Sequence, residues 1–170
     1  MNTVTSFPPV AETSAHTLIL GSMPGVLSLK ANQYYAHPRN AFWRIMASIY
    51  GFDADSPYED RVRRLTASGI ALWDVLHTCV RTGSLDSAID NSSQIANDFT
   101  LFFEQHPNIE LVGFNGAKAE ESFNKLSLPQ LNIKGINFVR LPSTSPAHTL
   151  TLEQKITIWR NALEHHQGCT

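Results

Sequence analysis

The chain has 170 residues, 42% of them apolar, enough to bury one substantial core without metals or disulfides to staple it. Its 13 Lys and Arg against 15 Asp and Glu give a net charge of −2 and a pI near 6.4, which excludes a surface coated in positive charge for general nucleic-acid binding. Two cysteines, Cys79 and Cys169, are too few for a four-thiolate metal site and supply no disulfide framework. The N-terminal stretch has no basic segment followed by an apolar one, and no run of about 18 apolar residues occurs, so the expectation is a cytoplasmic protein with reduced thiols and no membrane contact.

Residues 1–14 read as a loose segment. Residues 16–20 (HTLIL) form a short apolar run with a β-branched centre, bounded by Gly21, as a buried strand should be. A polar and aromatic stretch follows, GSMPGVLSLKANQYYAHPRN, read as a long loop. The spacing of Phe42, Ile45, Met46 and Ile49 predicts a helix over 41–50. Further helices are expected over 57–67, 93–105, 117–126 and 152–164, with Asn91, Ser92 or Ser93 capping the second of these and Thr151 the last. Between them lie three more apolar runs, 69–75 (GIALWDV), 109–114 (IELVGF) and 136–141 (INFVRL). Strands spaced by helices imply an α/β fold: one three-layer domain with a central four-stranded parallel sheet flanked by helices. The tail from His165 onward reads as solvated.

Parallel strands present their carboxyl ends on one side, and ligands bind in the crevice outside those ends. Four polar or glycine-rich segments fall there: Gly21 to Gly25, Asp74 to His77, Asn115 to Lys118, and the LPSTSPAH stretch ending at His148. Taken singly, each has an unremarkable reading. GSMPG is a turn signature, FNG a close-approach turn that opens a helix, Asn40 a cap for the helix at Ala41, and Asp74 a structural carboxylate. Tyr34 and Tyr35 fit the core or the rim equally well, and His37 and His148 read as loop histidines.

In their joint order, GSMPG, YYAHPRNAFW, ALWDVL, GSLDSAI, FNGAKA and LPSTSPAH resemble the uracil-DNA glycosylase superfamily, and within it the hypoxanthine-DNA glycosylase branch. The resemblance implies a small α/β domain with a parallel sheet, in agreement with the pattern reading. It also implies removal of deaminated bases from DNA, hypoxanthine first and uracil second, by a cofactor-free, metal-free monomer. Two departures stand out. Met23 occupies the place of the Asp or Asn that positions water in most branches, and Leu141 that of a common catalytic His or Asn. A thioether cannot orient a water nucleophile. In the hypoxanthine branch the catalytic asparagine comes from the Pro-Arg-Asn segment, which here is Asn40.

The resemblance places Gly21, Ser22, Met23, Pro24 and Gly25 in the wall of the base pocket, with their amides as donors. It makes Tyr35 the aromatic that stacks on the base and Asp74 the acceptor that reads its edge. Arg39, Asn115, Lys118, Ser143, Thr144 and Ser145 fall to the DNA backbone, and Pro146 and His148 lie near the gap left by the flipped nucleotide. Cleavage of an N-glycosidic bond passes through an oxocarbenium-like sugar, so a neutral carboxamide that holds water can replace a strong base. Two other classes stay open: a binding module that keeps the pocket without catalysis, and a hydrolase built on Ser145, His148 and Asp74. Against the latter stands the absence of a G-x-S-x-G elbow.

Overall fold

A computed structural model describes residues 2–167 of the protein. The four apolar runs are strands of one parallel sheet: β2 (Thr17–Gly21), β3 (Ile70–Asp74), β6 (Leu111–Asn115) and β7 (Asn137–Leu141), in the order β3-β2-β6-β7. Strand β2 pairs with β3 on one side and with β6 on the other, so successive crossovers leave it in opposite directions. A crevice opens at such a switch point, beyond the carboxyl ends of the strands.

Side chains alternate along each strand, and both faces are apolar because both are covered. Leu18, Leu20, Ala71, Trp73, Val112 and Phe114 face a layer that includes helices α4 (Phe99–Gln105) and α5 (Ala117–Leu126), where Phe99, Phe102 and Phe123 are buried. Ile19, Ile70, Leu72, Leu111 and Leu141 face α2 (Phe42–Tyr50), α3 (Tyr58–Ala67) and α6 (Leu152–Gln167), which contribute Phe42, Ile45, Met46, Leu65 and Trp159. Gly113 in β6 is a close-packing glycine: a Cβ there would sit 2.9 Å from Leu141 Cδ1 and 3.1 Å from Ile19 Cδ1.

Three parts of the chain depart from the sequence reading. The described part of the first segment, residues 2–14, is not loose. β1 (Thr3–Thr5) pairs antiparallel with β4 (Leu76–Val80), which in turn pairs with β5 (Ile95–Ala96) to make a second, three-stranded sheet. The same segment bridges Val10 to Leu72, and its Phe7 and Pro8 carbonyls accept from Trp73 Nε1 and the Tyr34 hydroxyl at 3.0 and 2.8 Å. Helix α1 (Val26–Ala31) stands where a loop was expected; it is six residues long, has no side-chain cap, and ends at Asn32 in the left-handed region (φ 56°).

Helix α4 begins at Phe99 rather than at 93. Residues Asn91–Ser93 form a 3₁₀ turn under the Asp90 carboxylate, Ile95 and Ala96 are committed to β5, and Asp98 is the true cap, accepting from Leu101 N–H at 3.0 Å. Thr151 caps α6 as expected, in a reciprocal box with Gln154 at 3.1 and 2.9 Å. The α6 backbone runs three residues past the expected end, to Gln167; the side chains of His165 and His166, and Cys169, lie outside the described residues. No helix among the described residues is long and apolar enough to cross a membrane.

Removing residues 2–10 strips the β1 strand, the Val10 bridge and the two carbonyl acceptors from the core. The truncated chain is expected to unfold in urea at a midpoint lower by roughly 1 M. An unchanged midpoint would mean that the segment only rests on the core.

Candidate active site

The carboxyl ends of β2, β3, β6 and β7 surround a cavity of about 680 Å³, within the range of small-molecule sites. Its wall is the loop from Gly21 to Gly25, whose shape is imposed from behind by a buried guanidinium. Arg81, only 2% exposed, donates from Nη2 to the Pro24 carbonyl at 2.6 Å, from Nε to Gly83 at 2.7 Å, and more weakly from Nη1 to Met23 at 3.5 Å. Two further bonds join the same loops: Ser22 Oγ donates to Asp86 Oδ1 at 2.5 Å, and Val26 N–H to Ser84 Oγ at 2.9 Å. Met23 thereby turns its thioether into the core at 7% exposure. Leu141 is buried at 1%, beneath Gly113, and is not part of the cavity lining. Neither departure from the superfamily pattern presents a polar group.

The paired tyrosines divide their work. Tyr34 is structural: its hydroxyl donates to Pro8, its carbonyl accepts from Trp43 Nε1 at 2.9 Å, and Phe7 packs edge-on against its ring. Tyr35 belongs to the cavity. It is held in the left-handed region at φ 57°, a strained state for an aromatic residue, by Ser28 Oγ, which accepts from the next amide, Ala36 N–H, at 3.0 Å. One face of its ring stacks on Phe42, centroids 4.1 Å apart. Asn40 lines the same cavity and also meets its simpler description as a helix-end residue, since Oδ1 accepts from Phe42 N–H at 3.0 Å. That bond fixes which end of the carboxamide is the acceptor, and a carbonyl oxygen has a second lone pair for water.

Asp74, at the end of β3, is 3% exposed. Burial first, and then the charge of Asp86, push its carboxyl up to about 7, against the opposing pull of Arg81. It sits directly against Gly21, where a Cβ would lie 2.5 Å from Oδ1, so only glycine fits at that point of the wall.

The opposite lip carries Ser143, Thr144, Ser145, Pro146 and His148. The Ser143 and Ser145 hydroxyl oxygens accept from Ser145 N–H and Ala147 N–H at 3.1 and 3.2 Å, which shapes the loop and leaves each hydroxyl proton free to donate outward. Lys155 Nζ holds the Ser145 carbonyl from behind at 3.2 Å. Asn115 and Thr144 are buried and bonded to each other twice, at 2.9 and 3.0 Å, so they brace this lip. Arg39 is exposed at the rim. Lys118 alone among the expected site residues lies outside the cavity, donating to Asn91 on the far side of α5. The bond between Ser145 and His148 is a backbone one, His148 N–H donating to the Ser145 carbonyl at 3.0 Å; among the described residues no side-chain bond links them, and His148 Nδ1 accepts from Leu150 N–H at 3.4 Å, so the hydrolase arrangement is not assembled.

Sequence reasoning missed Arg81 and Asp86. Asp86 lies within GSLDSAI, one of the motifs that carry the resemblance but one that received no role, and Arg81 just before it was marked only by following an apolar pair.

Residues 8–164 match the family model of the uracil DNA glycosylase superfamily. The chain belongs to that superfamily. Two relatives named hypoxanthine DNA glycosylase agree with the placement. One, from Methanosarcina barkeri, is 37% identical and aligns over 93% of this chain and 96% of its own. The other, from Methanosarcina acetivorans, is 35% identical over 94% of this chain and 97% of its own. A solution NMR structure from M. acetivorans, described as a candidate uracil DNA glycosylase, superposes with a TM-score of 0.81 at 33% identity, covering 97% of this chain and 99% of that one. The superfamily's α/β fold with its four-stranded parallel sheet is therefore present here, with Arg81 and Asp86 built into its pocket wall.

The buried carboxyl makes stability depend on pH. Unfolded, Asp74 titrates near the ordinary value of about 3.9; folded, it holds its proton up to about 7. Between those values the native state binds more protons, so this group lowers stability as pH rises from about 4 to 7, with the full penalty in force above. Asp74→Asn removes the effect. Its melting temperature relative to the parent is expected to rise by several degrees between pH 4.5 and pH 8 in thermal scans. A difference that is flat in pH would contradict the shifted carboxyl.

Proposed function

We propose that this superfamily member is a monofunctional DNA glycosylase that extrudes a deaminated base, hypoxanthine in preference to uracil, and hydrolyses its N-glycosidic bond. The observation that carries the reading is the convergence, in one cavity, of an oriented carboxamide (Asn40), an aromatic (Tyr35) and a buried carboxyl (Asp74), with no lysine among the described lining residues. A base buried in a duplex is reached only by flipping it out, and the pocket must then hold its face and its edge. The names of the two Methanosarcina relatives point to hypoxanthine.

The chemistry asks little of the protein beyond position and electrostatics. As the bond to the base lengthens, positive charge grows on the sugar and negative charge on the departing ring. Asn40 Oδ1, fixed by Phe42 N–H, accepts a hydrogen bond from a water and aims its oxygen at the anomeric carbon. Attack comes late, when the sugar is already electrophilic, so a carboxamide suffices where an ordinary glycosidase uses two carboxylates. Without an amine in the lining, no Schiff base forms on the sugar and the strand stays intact. Arg39 and the hydroxyls of Ser143 and Ser145 lie where backbone phosphates pass on either side of the mouth.

Asn40→Ala is expected to lower single-turnover release of hypoxanthine from an inosine oligonucleotide by about a hundredfold or more while leaving DNA affinity within a few fold. Wild-type rates in the variant would remove Asn40 from the mechanism. Tight binding by the parent protein with no base release would establish the catalytically silent binding module, which the apolar Met23 and Leu141 favour.

A further inference from the structure

Two polar atoms in the cavity are buried without any hydrogen-bond partner: Asp74 Oδ2 and the Tyr35 hydroxyl. Both side chains crowd the same point of the wall. A Cβ on Gly21 would lie 2.5 Å from Asp74 Oδ1 and 3.1 Å from the Tyr35 hydroxyl oxygen. Orphaned buried groups cost stability, and a ligand that completes them accounts for their retention.

The polar neighbours are bonded elsewhere, although the Asn115 side chain also approaches the Tyr35 hydroxyl. The Arg81 guanidinium donates to three carbonyls, Asp86 accepts from Ser22, and the Tyr34 hydroxyl donates to Pro8. Asn115 is bonded twice to Thr144. The strained backbone of Tyr35, at φ 57°, with its ring laid on Phe42, is what brings the hydroxyl to this floor. Burial, reinforced by the nearby Asp74 charge, pushes the phenol well above its ordinary range, so it stays a proton donor at every working pH.

We propose that the Tyr35 hydroxyl is a specificity-determining donor, giving its proton to the base O6 while Asp74 accepts from N1–H, so that the two residues together read a lactam edge. This rests on the reading of the cavity as a base pocket, and it moves Tyr35 from the face of the base, where the resemblance puts it, to the edge. Hypoxanthine offers N1–H and O6, and uracil the equivalent N3–H and O4. Adenine offers the reverse: its N1 lone pair faces the acceptor oxygen of ionised Asp74, and its N6 donor leaves the Tyr35 proton without a partner. Guanine shares the lactam edge, but it leaves a matched pair, and the unpairing energy weighs against it. The same phenol also stabilises negative charge that reaches O6 as the base departs.

The test is single-turnover excision from matched duplexes carrying hypoxanthine or unsubstituted purine, which lacks both O6 and the N1 proton. Tyr35→Phe keeps the ring and removes the donor, and Tyr34→Phe is the control for a structural phenol beside it. The expected result is a loss of about tenfold to a hundredfold on hypoxanthine in Tyr35→Phe, little change on purine, and an unchanged ratio in Tyr34→Phe. Equal losses on both substrates, or no loss on either, would overturn the donor assignment while base release by the parent protein upheld the glycosylase reading. Failure of the parent to release any base would overturn that reading, and this one with it.

Discussion

The buried guanidinium of Arg81 is the constraint on which the cavity's shape depends. A loop that turns through Gly-Ser-Met-Pro-Gly exposes carbonyl groups on its inner side, and inside a protein each needs a donor. Arg81 supplies three from one planar fork, reaching Met23, Pro24 and Gly83 and so locking two segments nearly sixty residues apart. A lysine has a point charge and no fork, and would not span the same set. The fork is spent on carbonyls, and its pull on Asp74 is outweighed by burial and by the charge of Asp86, which hold that carboxyl up to about 7.

From that anchor the remaining features of the site follow in sequence. With the wall fixed, Gly21 must lack a side chain for Asp74 and Tyr35 to reach the floor. Tyr35 reaches it only through a left-handed backbone, which Ser28, Tyr34 and Phe42 hold in place. The same stretch then delivers Asn40 to the start of α2, where the first helical amides orient its carboxamide. The apolar Met23 is consistent with the proposal that Asn40, across the pocket, holds the attacking water. The strained Tyr35 backbone and the unsatisfied Tyr35 hydroxyl and Asp74 Oδ2 lie together at the cavity, while the two apolar layers carry stability.

Much of this was legible in the sequence. The four parallel strands are apolar on both faces, and continuous runs such as TLIL and LVGF announce that directly. Their carboxyl ends had to converge, so the polar residues at Gly21, Asp74, Asn115 and Ser143 could be gathered before any coordinates. The second sheet was not legible. β1 has three residues, and β4 reads LHTCV, with buried positions only at Leu76 and Cys79, so the periodic signal is weak. Helix α1 follows Pro24-Gly25 and has no side-chain cap; tertiary bonds at Val26 and Ser28 hold it, and these leave no trace in local sequence. Asp98, rather than the Asn-Ser-Ser run, starts α4 because residues 95–96 gain more as a strand beside β4 than as a frayed helical turn. The distinction between Tyr34 and Tyr35 likewise depends on which hydroxyl finds a carbonyl, a fact of packing alone.

The central claim is hydrolytic release of hypoxanthine from DNA by this cavity. Mass spectrometry of a stoichiometric reaction with a single-inosine duplex, with a parallel arm containing borohydride, tests it most directly. The account predicts free hypoxanthine, an abasic strand that breaks only on treatment with alkali, and no protein–DNA adduct. Intact inosine after hours of incubation, or a covalent adduct with strand cleavage, would contradict it.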